Sequence, residues 1–360
     1  MNNTRYIFEL LITNFILTMQ SVTTGVVIFL LNCTCKFKSC MKKILIISKR
    51  VCTFLSIMFF LLMDVSVAHA KAPRAEAAVI GRWDMTIYMD GKQSPSWLEV
   101  QKSGNSYLIG EYVGTGGSAR PISKINFNDN KISFSLPPQW EKDTNDISFE
   151  GVLQSDSLTG TMVAANGKNY NWSAARAPSL KRMTEPVWQK PIAIFNGKDL
   201  SGWHATGDNQ WIVKDGVLQS PHSGSNLMTD KTFTDFKLHI EFRYPGSSNS
   251  GVYLRGRYEV QIEANNENEP LKNVYSAIYG FIAPSEITAK KPGEWQSFDI
   301  TLVGRMVTVV ANGKTVICNR EIPGITGGAI DSKEGEPGPI YIQGDHGPIE
   351  YRNIIITPAK

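Results

Sequence analysis

Between Ile80 and Arg176 apolar and polar residues alternate in short runs that stop at turn-forming residues, a rhythm that admits antiparallel β-structure and little else. The runs GRWDMTIYM, SWLEVQKSG, SYLIGEYVG, RPISKINFN, KISFSLP, DISFEGVLQ, LTGTMVAANG and NYNWSAARA read as about eight strands, uninterrupted by any helical period. Asp90-Gly91, Asn128-Asp129-Asn130 and Asn166-Gly167 tolerate the positive φ that hairpin turns require. The segment APSLKRMTEPVWQKP that follows has three prolines and no period, so it reads as a linker. Beyond it, DFKLHIEFRY sets Phe236, Leu238, Ile240 and Phe242 on one face and Lys237, His239, Glu241 and Arg243 on the other. Many further strands and no crossover helices predict sheets packed face to face. The expected fold is all-β: a small antiparallel barrel over 79–177, a linker at 178–191 and a β-sandwich over 192–358.

The first seventy residues stand apart. Met41-Lys42-Lys43, a long apolar run and an Ala68-His69-Ala70 ending have the form of a secretory signal peptide over 41–70, cleaved after Ala70. Residues 1–40 read as translated upstream sequence, with a membrane anchor as the alternative. The mature chain is then expected in a periplasm or outside the cell. Seven of the 37 Lys and Arg and two of the 33 Asp and Glu precede Lys71, leaving 30 against 31. A nearly neutral chain lacks the clustered basic excess that nucleic acid demands. Four of the five cysteines also fall in this region, so Cys318 alone supports neither a disulfide framework nor a zinc–thiolate centre.

In YEVQIE, strand alternation sends Glu259, Gln261 and Glu263 to one face and Tyr258, Val260 and Ile262 to the other. Tyr253 and Arg255 share a face just upstream, but Gly256-Arg257 can turn the chain, so period alone leaves open whether Arg255 meets Glu259. A face with Arg, Glu, Gln and Tyr hydrogen-bonds a sugar's hydroxyls and covers its apolar side with a ring; the competing reading is a solvated face with a surface ion pair. His346 follows the strand IYIQ, between Asp345 and Gly347, at a sheet rim where an imidazole can move protons near neutrality. Its competing reading is an exposed turn. His204, His222 and His239 read as structural or solvated, and no HExxH, GxSxG or phosphate-loop spacing occurs.

Several motifs then converge: Phe195 to Trp203 (FNGKDLSGW), Trp211 to Leu218 (WIVKDGVL), Phe236 to Arg243, Asn249 to Gly256 (NSGVYLRG), Tyr258 to Ile262, Pro292-Gly293-Glu294-Trp295, Gln343 to Gly347 and Tyr351 to Ile354. In order and spacing, the stretch from about 190 to 358 resembles the 3-keto-disaccharide hydrolase domain family. Residues 79–177, with Gly81-x-Trp83 near their start, weakly resemble a lipocalin-like barrel. The first resemblance implies a concanavalin A-like jelly-roll sandwich and an exported enzyme that cleaves glycosides oxidised to a ketone at C3. The family's motif positions correspond to Arg255, Glu259, Gln261 and His346, which implies catalytic roles for His346, Glu259 and Arg255, the last at the developing oxyanion, and a substrate contact from Gln261; Tyr253, Glu241, Trp295 and Asp345 are expected as further substrate contacts. The ketone acidifies the C2 proton, so elimination followed by hydration gives net hydrolysis; two-carboxylate hydrolysis pairing Glu259 with Glu263 or Glu241 is the alternative mechanism. No cofactor is required, although Glu259, His346 and Glu241 could hold a divalent cation. The alternative function is a non-catalytic carbohydrate-binding surface protein. Asn196 departs from the family's usual Phe-Asp-Gly.

Overall fold

Turn chemistry organises the first half of the chain in the computed structural model, which describes residues 75–246, 248–263 and 269–360. Asp90 and Gly91 (φ 48° and 79°), Asp129 and Asn130 (50° and 61°) and Gly167 (80°) all adopt the left-handed conformation expected of them. These turns join the first to the second, the fourth to the fifth and the seventh to the eighth of eight strands, β1 (Gly81–Met89), β2 (Lys92–Ser103), β3 (Tyr107–Val113), β4 (Arg120–Asn128), β5 (Lys131–Leu136), β6 (Ile147–Gln154), β7 (Ser157–Val163) and β8 (Asn169–Arg176). Each pairs with the next, and β8 closes on β1, giving an up-and-down barrel without an open edge. Its interior is filled by alternating residues such as Trp83, Met85, Ile87, Leu98 and Trp172. Phe134 and Phe149 stack there with centroids 4.6 Å apart. Residues 1–40 and 41–70, where an upstream segment and a signal peptide are expected, lie outside the described residues.

The second half adds β9 (Ile192–Ala193), β10 (Trp203–Ala205), β11 (Ile212–Lys214), β12 (Val217–Ser220), β13 (Leu227–Phe233), β14 (Phe236–Arg243) and β15 (Asn249–Leu254). It continues with β16 (Tyr258–Glu263), β17 (Gln296–Val303), β18 (Met306–Ala311), β19 (Lys314–Glu321), β20 (Gly338–Ile342) and β21 (Ile349–Pro358). One sheet runs β10-β13-β20-β15-β16; the other runs β11-β12-β21-β14-β17-β18-β19, with β9 on β21. The inward residues of β14 (Phe236, Leu238, Ile240, Phe242) share one buried core with Val252, Leu254, Val260, Ile262, Ile340 and Ile342 of the five-stranded sheet. Burying such side chains supplies the main favourable term, about 1.5–3 kcal/mol each. Among the described residues no helix is long and apolar enough to cross a membrane.

Barrel and sandwich, both within Pro73–Lys360, are packed together. Trp97 of β2 is fully buried and sets its ring edge-on to Phe281, 5.3 Å away. Gly324 leaves the space for that indole, since a Cβ there would fall 2.1 Å from Trp97 Nε1. The segment between the two parts is also tied down, with Leu180 buried and Arg182 donating to Asp235 Oδ2 at 2.5 Å and Oδ1 at 3.1 Å. Backbone meets backbone at Gly327, where a Cβ would sit 2.1 Å from the Gly117 carbonyl oxygen. Gly327→Ala is therefore expected to cost about 1–3 kcal/mol by overpacking. A denaturant midpoint unchanged from the wild type would refute that contact.

Candidate active site

The β15–β16 hairpin places Tyr253 opposite Glu259 and Gly251 opposite Gln261, on the face turned away from the core. Gly251 has a steric purpose: a Cβ there would fall 2.3 Å from Glu259 Oε1, so only glycine lets that carboxyl lie across the neighbouring strand. The Tyr253 hydroxyl lies 2.9 Å from Glu259 Oε2, 2.8 Å from the Gly327 carbonyl oxygen and 3.2 Å from Gln343 Nε2, which donates to it. One phenolic proton faces two acceptors, so the Glu259 contact is filled best when that carboxyl carries its own proton. Tyr341 of β20 sets its ring edge-on to Tyr253 at 4.9 Å and accepts from Asn226 Nδ2 at 2.5 Å. Asn226 also reaches Asp345 Oδ2 at 3.4 Å, and Asp345 Oδ1 holds His346 Nδ1 at 2.6 Å.

Electrostatics separate two proton carriers. Glu259 is 3% exposed, and its burial pushes the carboxyl up to about 8, against the Tyr253 hydrogen bond and the His346 charge, which pull it down. At His346 the Asp345 hydrogen bond dominates and raises the imidazole above its usual value, with Glu259 adding to the effect. Burial opposes charge on Asp345, but the His346 hydrogen bond and charge prevail and hold it below the ordinary carboxylate range. Near neutrality the cluster thus contains a protonated carboxyl beside an imidazole that a carboxylate orients. The side-chain oxygens Gln261 Oε1 and Gln343 Oε1 are buried without a protein partner. Acceptors of this kind are ones that a hydroxyl from outside the chain would satisfy.

The hairpin thus brings together Glu259, Tyr253 and Gln261 with Asp345 and His346. Three expected residues lie elsewhere. Arg255 begins the turn with φ 54°, followed by Gly256 at 66°, and this left-handed pair ends the strand alternation before Arg255. Its Nη2 donates to the Tyr258 hydroxyl (3.0 Å) and the Gly304 carbonyl (2.9 Å), fully buried on the core side and unavailable to an oxyanion. Glu241 belongs to the other sheet, whose outer face it shares with Arg352 Nε (2.6 Å) and Asn353 Nδ2 (2.9 Å), both donating to it. Trp295 lies there too, with the guanidinium carbons of Arg352 and Arg243 at 3.9 and 4.8 Å from its ring centroid. With Glu241 remote, the expected cation set does not converge, and among the described residues no cluster of three His, Cys, Asp or Glu forms a metal site. Asn196 shapes a turn, accepting from Lys198 N (2.7 Å) and Asp199 N (3.0 Å).

Tyr341 and Gln343 join the site beyond the expected residues, Gln343 having stood only as the first residue of a motif; the alternation that exposes Glu259 applies to both, with Ile340 and Ile342 facing the core. Asn226 and Tyr279 lie outside regular strand interiors, where no period signals them.

Residues 190–357 match the 3-keto-alpha-glucoside-1,2-lyase-like domain family. Among solved structures, a protein from Parabacteroides distasonis assigned to the glycosyl hydrolases is 30% identical over 51% of this chain and 96% of its own, with TM-score 0.40. A second such protein from that organism is 18% identical over 47% and 94%, with TM-score 0.41. A carbohydrate binding module from Bacillus subtilis is 12% identical over 42% and 93%, with TM-score 0.31. No curated protein matches the chain.

Proposed function

Residues 190–357 belong to the 3-keto-alpha-glucoside-1,2-lyase-like domain family, and on that premise we propose that this glycoside hydrolase-like protein cleaves glycosides whose sugar carries a ketone at C3. The observation that carries the reading is the pairing of a buried Glu259, protonated near neutrality, with an Asp345-oriented His346 beside two unpartnered amide oxygens. His346 removes the C2 proton that the ketone acidifies, and the C2–H electrons become the enolate. Collapse of the enolate expels the C1 oxygen, which takes its proton from Glu259. Water then adds across the C1–C2 double bond, its hydroxyl to C1 and a proton to C2, completing net hydrolysis. Gln261 Oε1 and Gln343 Oε1 accept sugar hydroxyls, and no step passes through a cation. The signal-peptide form of the sequence 41–70 supports a reaction outside the cytoplasm.

The test compares a 3-keto-glucoside with its unoxidised parent in deuterated water. Release of the leaving group from the ketone alone, with deuterium at C2 of the product, is expected; equal release from both sugars, or a C2 without deuterium, overturns the proposal. The pH dependence follows from the two groups. The base must be deprotonated and the acid protonated, so kcat/KM should rise through the elevated His346 pKa and fall again near 8 as Glu259 ionises. Activity that keeps rising above that point contradicts Glu259 as the acid.

A further inference from the structure

The barrel reaches the site through the loop joining β3 to β4. Gly328 N donates to the Thr115 carbonyl at 3.2 Å, and Gly327 and Gly280 meet the same loop backbone to backbone, a Cβ on Gly280 falling 2.6 Å from Ala119 N. Both glycines adjoin the reactive cluster. The Gly327 carbonyl faces the Tyr253 hydroxyl, and Tyr279, just before Gly280, donates its backbone N–H to the Glu259 carbonyl at 3.1 Å. Between loop and sandwich opens a cavity of about 430 Å³, lined by Glu111, Ser118 and Gln139 from the barrel and by Lys272, Asn273 and Tyr279 from the sandwich. That size lies within the about 300–1,000 Å³ of small-molecule sites. Gln139 is held in place, its Oε1 accepting from Ser118 N at 3.2 Å and its Nε2 lying 2.5 Å from Ser118 Oγ. Amides, hydroxyls, one ammonium and one carboxylate around a phenol ring suit a polyol better than an apolar or highly charged ligand.

We infer that this cavity is the subsite for the sugar on the leaving-group side of the scissile bond, and that the barrel thereby sets which glycosides are cleaved. The inference rests on the proposed glycoside cleavage. Its side follows from the sheet order: Glu259 lies on the terminal strand β16, next to Tyr279, whereas His346 follows β20 and is held toward Asn226 before β13. The residue that gives its proton to the leaving oxygen is therefore the one whose main chain is bonded to the cavity-lining Tyr279.

The test uses the full mature chain and two probes, a 3-keto-disaccharide and methyl 3-keto-glucoside, the second lacking a leaving sugar. Gln139→Ala should raise KM for the disaccharide about tenfold more than KM for the methyl glycoside, with little change in the kcat ratio. Ser118→Trp, which fills the cavity, should do the same or more, and matching thermal unfolding curves show that both variants are folded. A ratio of KM values equal to the wild type's in both variants overturns the inference. If the wild type turns over neither ketone, the cleavage reading fails, and calorimetric titration with the unoxidised disaccharide decides the subsite. Weaker binding by Ser118→Trp supports it, and unchanged binding overturns it.

Discussion

Replacing Glu259 by glutamine is expected to lower kcat on a 3-keto-glycoside by about 10²–10⁴-fold, the range removed with a general acid or base. The amide keeps the shape and neutrality of the protonated carboxyl, so the cluster with Tyr253 and Gln343 stays packed, and substrate affinity should hold within a few fold. What disappears is a proton that can be released. Stability moves the other way. Because burial raises the folded pKa from 4.5 to about 8, the wild type loses stability as pH climbs through that window, where the unfolded chain binds fewer protons than the folded one. The glutamine variant escapes that loss, so it should match the wild type near about pH 5 and melt higher near about pH 9. An active variant, or identical melting shifts at both pH values, would remove Glu259 from the chemistry or from its buried state.

The largest stability loss is expected from Arg305→Met, about 3–5 kcal/mol, because it strands a buried charge. Glu334 is fully buried and accepts from Arg305 Nε at 3.0 Å, from Nη2 at 2.6 Å and from the Tyr258 hydroxyl at 2.7 Å. Asp84 of the barrel joins the same network; its burial first, and then Glu334, push its carboxyl far up, so Asp84 is the protonated member of the pair and Glu334 the ionised one. Arg305 keeps Glu334 ionised and so contributes stability above the ordinary glutamate pKa, lost as pH falls through the depressed folded value. The defect in Arg305→Met should therefore be largest near about pH 8 and shrink toward about pH 4, where Glu334 can protonate. Denaturant titrations at the two pH values test this, and a loss independent of pH would assign the effect to lost packing alone.

Local periodicity carried most of the architecture. The eight barrel strands, their turns, the inward face of β14 and the outward set Glu259 and Gln261 all follow from alternation and turn chemistry within a few residues. Alternation holds only inside a strand, and it leaves Arg255 open because Gly256 can turn the chain; the left-handed Arg255-Gly256 pair decides the matter by sending that side chain to the core, away from the place the family resemblance implies. Glu241 and Trp295 lie away from the cluster for another reason. Alternation tells which residues share a face of one strand but not which sheet the strand joins, and β14 joined the sheet behind the site. The barrel loop at the cleft was illegible in the same sense, because contacts between Gly117 and Gly327 span chain segments that no local pattern links.

Strand β16 ends the order of its sheet, yet its outer side is not left bare. Gln261 N bonds the Ala277 carbonyl at 3.0 Å, Ser276 N the Gln261 carbonyl at 2.8 Å and Tyr279 N the Glu259 carbonyl at 3.1 Å. The carboxyl therefore rides on a main chain gripped from both flanks, whereas the imidazole sits half exposed on a rim beside Gly347. One partner is an anvil and the other a hinge. Any reshaping of this centre toward new sugars has most freedom on the histidine side, where geometry can drift without unzipping a sheet.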